Sequence, residues 1–272
     1  MQRGTAKPKA AMRCAEGLYL LFARGSRPDR SALIAALEDV AGCSISHDPS
    51  QHDTAVAAVP HVPRWRDGHL PEGHWLELLK WGMTFDCLGL APGPAVALPP
   101  AAHRVGCPAD LCAEDCEAIA LVPGPHLADA PNSLPIVRAM LDIGADLVQR
   151  LDGVAGISWS PARSLVDPAF FSASVKAWIE GGAFPAIGMV GFSMAPTGRL
   201  MTEGLAWFIG QELEFAAELS VDKIEATRLA ARLIHELVAS GPVAEPCEIA
   251  LGQGREVRLA PGRSGVLRVM PM

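Results

Sequence analysis

"CEAIALVPGPHLADAPNSLPIVRAMLDIGADLVQRLDGVAGISWSP", residues 116–161, contains the unit that decides how the chain folds. Its first part, "CEAIALVPG", is a short apolar run closed by Pro and Gly, the mark of a buried strand. Ser133 then stands where a helix N-cap belongs. Beyond it Ile136, Val137, Met140, Leu141, Leu147, Val148 and Leu151 recur on one helical face, and Gly153 sits just past the end. "VAGISWSP" returns as a strand. The segment therefore predicts strand–helix–strand.

The same plan is legible about 100 residues earlier. "EGLYLLFA" (16–23) reads as a buried strand. "SALIAALEDVAG" (31–42) places Leu33, Ile34, Leu37 and Val40 on one helical face and closes at Gly42. "DTAVAAVP" (53–60) reads as the returning strand. Residues 61–73, rich in Pro, Gly and His, read as a loop. "HWLELLKWGM" (74–83) suggests a short helix, and "PAVALPP" (94–100) a strand stopped by its prolines.

Downstream, Asp167 caps a helix that opens with Pro168 in "DPAFFSASVKAWIEGG". "AIGMVGFSM" and "LAWFIGQELEFAAE" suggest two adjacent strands joined through "APTGRLMTEG". A long helix follows in "SVDKIEATRLAARLIHELVASG", with Ala226, Leu229, Ala230, Leu233, Ile234, Leu237 and Val238 on its stripe. "CEIALGQGREVRLAPG" then reads as a hairpin and "GVLRVMPM" as a last strand. The expected fold is α+β: mixed β-sheets covered by helices, with two pseudo-repeated strand–helix–strand lobes meeting near residues 100–117. The expected divisions are a loose tail (1–12), an N-terminal α/β lobe (13–105) and a C-terminal α+β domain (106–272).

Half of the 272 residues are apolar and 19% are charged, enough to build a sizeable core. A net charge of −7 argues against a nucleic-acid surface, which must neutralise phosphates. Arg255, Arg258, Arg263 and Arg268 lack interleaved aromatics and read as a solvated face. "GLYLLFA" is too short for a signal peptide, and "AFPAIGMVGFSMAP" falls short of the roughly 20 residues a spanning helix needs. No membrane association is expected. Seven cysteines, an odd number without a paired framework, fit reduced thiols in the cytoplasm.

Motifs for catalysis are incomplete. His103, Cys107, Cys112 and Cys116 lack the spacing of a structural zinc knuckle, and Cys112 and Cys116 read as buried thiols one helical turn apart. "GFSMA" around Ser193 resembles a nucleophile elbow, yet Pro196 and Gly198 follow where a helix should start. "SVDK" (220–223) reads as a helix start with Ser220 as N-cap. No phosphate loop or dinucleotide fingerprint is present, so no cofactor is expected.

"TEGLAWFIGQELEFAAE" (202–218) gathers polar residues without a single Lys or Arg. In "QELEFA", Leu213 and Phe215 alternate with Glu212 and Glu214, so both carboxylates lie on one strand face. There they can ligate a cation, face a neighbouring arginine or simply face water. With "GISWSPARSLVDPAFF", the long helix and the terminal strands, this run resembles a family of bacterial domains of unknown function. The shared order is Gly-x-x-Trp, a strand, and a core held here by Thr202, Gly204, Leu205, Phe208, Gly210, Glu212 and Glu214. Ile209 departs from the pattern. The similarity covers about residues 153–272 and implies an architecture without a mechanism. The candidate binding cluster is Thr202, Glu203, Gln211, Glu212, Glu214 and Trp159. Two functions are expected from it. The first is a non-enzymatic cytoplasmic protein binding a protein or small-molecule partner. The second is a small-molecule or metal-dependent enzyme using the carboxylates of residues 202–214. Oligomeric state stays open.

Overall fold

The computed structural model describes residues 16–38, 40–51, 74–251 and 256–272. The tail at 1–12, the strand expected at 53–60 and the loop expected at 61–73 lie outside them. The first sheet contains β1 (Leu18–Ala23), β2 (Cys43–His47), β3 (Trp75–Lys80), β4 (Met83–Leu88), β5 (His103–Val105), β6 (Cys116–Pro123), β7 (Val154–Trp159) and β8 (Ser164–Val166). Helices α1 (Arg30–Leu37), α2 (Leu134–Arg150) and α3 (Pro168–Ile179) accompany it. The rest of the chain runs α4 (Ala186–Met189), β9 (Gly191–Met194), β10 (Leu200–Glu203), α5 (Ala206–Ile209), β11 (Glu212–Phe215), α6 (Lys223–Ser240), β12 (Cys247–Ala250), β13 (Glu256–Pro261) and β14 (Val266–Pro271). Two mixed sheets with helices on them make an α+β fold.

Strand order in the first sheet is β2-β3-β4-β6-β1-β7-β8-β5. β1 pairs antiparallel with β6 on one side and with β7 on the other. β6 and β7 therefore run parallel, and α2 carries the chain from one to the other across β1, a split β-α-β unit. β1 and β2, on either side of α1, thus share one sheet with β6 and β7, on either side of α2. The physical reason is burial: β1 is apolar on both faces and must lie centrally. Leu18, Leu20 and Phe22 pack under α2 with Val137, Met140 and Leu147. Tyr19 and Leu21 belong to a second cluster on the opposite face, with Leu88, Ala118, Ala120 and Leu165. Gly144 lets α2 lie close, since a Cβ there would stand 2.2 Å from the Leu18 side chain.

Four expected elements differ. Residues 75–88 form a β3–β4 hairpin instead of a helix. Trp81 and Gly82 both take positive φ (51° and 80°), the two-residue turn that matches strand twist. A six-residue apolar run is too short for its periodicity to separate strand from helix. Residues 94–100 form no strand, because prolines remove the ladder donors. Val96 and Leu98 cover the second cluster instead. Finally, only the ends of "AIGMVGFSM" and "LAWFIGQELEF" are strand; each begins with a short helical turn, α4 and α5.

The second sheet has the order β12-β13-β14-β11-β10-β9, with β11 and β14 parallel. One face is buried: Leu200, Leu213, Phe215, Val257, Leu259, Leu267 and Val269 meet the α6 stripe, where all seven expected residues are buried. These residues join the helix-side core of the first sheet in one cluster. The alternate positions, including Arg258 and Arg268, face outward.

Candidate functional site

The residues singled out around 202–214 all lie at the α5 turn, but they do not converge on one empty centre. Glu212 is saturated. Its carboxylate accepts hydrogen bonds from Thr202 Oγ1 (2.6 Å) and from the backbone N–H groups of Gly204 (2.7 Å), Leu205 (3.3 Å) and Ala206 (2.9 Å). Thr202 Oγ1 accepts in turn from Leu213 N–H at 2.7 Å. Glu212 thus satisfies the donors exposed where α5 begins, reaching back from the following strand. Gly204 makes the approach possible. It has φ 94°, and a Cβ would lie 2.6 Å from the Ala162 backbone.

The other members have separate partners. Glu214 shares a face with Glu212, as the alternation predicts, and pairs with Arg199 at 2.6 Å. Glu203 bonds His103 Nε2 at 2.7 Å and Arg163 Nε at 2.9 Å, so it ties β10 of the second sheet to the β5 and β8 end of the first. Gln211 clasps the backbone of Val243, donating to its oxygen (2.9 Å) and accepting from its N–H (2.8 Å). Trp159 is fully buried, edge-on to Trp207 at 5.3 Å and stacked on Phe208 at 6.1 Å. Its indole N–H has no hydrogen-bond partner among the described residues.

Other motif residues find structural roles. Among the described residues no three His, Cys, Asp or Glu side chains are grouped to hold a metal ion. Cys112 is exposed, not buried, and Cys112 and Cys116 are not on an α-helix: Cys116 begins β6 after a single 3₁₀ turn. Ser193 lies within β9, and a turn followed by β10 succeeds it. His235 Nδ1 accepts from Phe184 N–H at 3.1 Å. The N-cap of α6 is Asp222, which accepts from Ile224 and Glu225 N–H, because Ser220 is turned inward. Ser220 Oγ accepts from Leu200 N–H and donates to Ala216 O.

Two charged arrangements were not anticipated. Lys80, at the end of β3, is buried with its ammonium 2.7 Å from Asp142 and 3.5 Å from Asp146 of α2. Lys176 of α3 bonds the same two carboxylates at 2.6 and 2.7 Å. Burial pushes the Asp142 carboxyl up, but hydrogen bonds from Lys176 and Lys80 outweigh it and leave the group below the ordinary carboxylate range. Asp86 on β4 is the opposite case. It is 1% exposed, and its Oδ1 has no hydrogen-bond partner among the described residues. Burial, with Glu77 opposite adding to it, pushes its carboxyl up to about 7. A sequence signal existed in the spacing, since Asp142 and Asp146 stand four residues apart and so share one face of α2.

A groove of about 570 Å³ opens between the start of α6, the start of β13 and the end of β14. Glu218, Asp222, Glu225 and Glu256 line it, beside Val221 and Met272. No Lys or Arg lines it among the described residues. Val221 is 88% exposed, Ile224 on the adjoining turn 65% and Met272 62%. The other exposed large apolar side chains among the described residues, Trp81, Phe170, Ile187 and Met194, lie on the β3–β4 turn, α3, α4 and β9.

No protein-family model, curated protein or solved structure matches the chain.

Proposed function

We propose that the protein works by binding a protein partner, and that the groove beside the start of α6 is where it binds. The observation that carries this reading is the exposure of Val221 and Met272 on one concave surface, with Ile224 exposed beside it at the start of α6. Grouped apolar side chains on a folded protein cost solubility, and their common use is to be covered by a partner. The bonds that occupy Glu203, Glu212 and Glu214 add support, since carboxylates held by protein donors are poor candidates for general acid–base work. A bacterial cytoplasmic setting belongs to the same reading, as does the resemblance of residues 153–272 to bacterial domains of unknown function. Six described cysteines are free, which fits a reducing compartment, and the net charge of −7 fits a partner other than nucleic acid.

The test is binding of Nile red, an uncharged apolar dye, followed by its emission. Dye bound by the natural protein should be released in the doubly substituted V221S/M272S protein, with thermal stability unchanged because both positions are exposed. Emission that is identical in the two proteins would remove the groove as the docking site.

A further inference from the structure

Resting on that docking reading, we infer that the segment bound in the groove is cationic: an extended or helical stretch of a partner protein carrying Lys or Arg beside aliphatic residues. Among the described residues the charge of the groove is one-sided. Asp222 is held by two backbone N–H groups as the α6 cap, and Glu225 pairs with Arg228 at 2.6 Å. Glu218 and Glu256 make no ion pair or hydrogen bond among the described residues, and both line the groove and are exposed. Two exposed carboxylates without partners, standing over apolar ground, meet a basic side chain whose methylene stem also covers apolar surface. An acidic partner would place like charges together.

The geometry also selects a segment over a small molecule. Val221 and Met272 line the groove but remain 88% and 62% exposed, so its walls do not enclose them. A ligand confined to the groove would leave them in water, whereas a chain crossing it covers them.

The experiment uses the full chain and two fluorescent twelve-residue peptides, one of Lys, Leu and Ser and one with Glu in place of every Lys. Anisotropy should show binding of the Lys peptide alone, weakened by added salt as exposed charges are screened. The E218K/E256K protein, whose exposed substitutions leave the melting temperature in place, should bind the Lys peptide about tenfold more weakly. The V221S/M272S protein should lose it as well. Equal binding of the Glu peptide, or indifference to E218K/E256K, overturns the cationic inference. The docking reading then still stands if the dye is displaced by V221S/M272S. Binding of neither peptide also overturns the inference. Only a dye result unchanged by V221S/M272S removes the docking reading beneath it.

Discussion

Glu77 on β3 and Asp86 on β4 face each other in register across the hairpin. Glu77 has a partner, since Ser46 Oγ donates to it at 2.7 Å, whereas Asp86 Oδ1 has none among the described residues. Asp86 therefore keeps its proton in the folded protein up to a pH of about 7, against 3.8 for an ordinary aspartic acid. The folded state binds the extra proton, so its contribution to stability is complete below the ordinary range and is lost as pH rises through about 7. Asp86→Asn removes this loss. Denaturant titrations at pH 4 and pH 8 should show the variant gaining about 2–4 kcal/mol on the natural protein between the two. Parallel pH profiles would contradict a buried, protonated Asp86.

Glu212 accepts four hydrogen bonds, three of them from backbone at the start of α5. A carboxylate merely facing water could be exchanged for an amide at little cost. Here Glu212→Gln would turn an N–H₂ group towards donors, and unfolding in urea should register a loss of about 1–3 kcal/mol. Glu214→Gln breaks only the exposed pair with Arg199 and should cost less than about 1 kcal/mol. Equal, small effects at the two positions would mean that Glu212 does not hold the turn.

Removing Lys80 leaves Asp142 and Asp146 facing Lys176 alone, inside the protein. Lys80→Met should destabilise by about 3–5 kcal/mol, because breaking a buried ionic group strands a charge. Adding Asp142→Leu should restore part of that loss instead of deepening it, since the two positions act as a unit. Simple additivity in the double variant would argue against a coupled cluster.

Gly204 combines a positive φ with backbone packed where its Cβ would be. Gly204→Ala should cost about 1–3 kcal/mol or more through overpacking and strain. Gly210 also has a positive φ (73°), but open space surrounds it, so Gly210→Ala should be the milder change. Comparing the two melting temperatures separates close approach from backbone conformation. A milder effect at Gly204 would show that the Ala162 contact yields easily.

Local patterning in the sequence was sufficient for several elements. The 3.6-residue stripe of α6, the Asp167–Pro168 start of α3 and the apolar runs of β1 and β6 are properties of neighbouring residues, and each folds as its own pattern dictates. The α+β class follows from them. Tertiary structure decided what lies next to what. β1 is inserted between β6 and β7, which come from about 100 and 135 residues further along, because only a central place buries both of its faces. Residues 75–88 became a hairpin because β6 was there to pair with β4. Glu212 and Glu214 look alike on paper, two carboxylates on one strand face. One is occupied by the backbone of a preceding turn and the other by an arginine at the start of the adjoining strand, and donors brought by folding are invisible in the alternation that placed them.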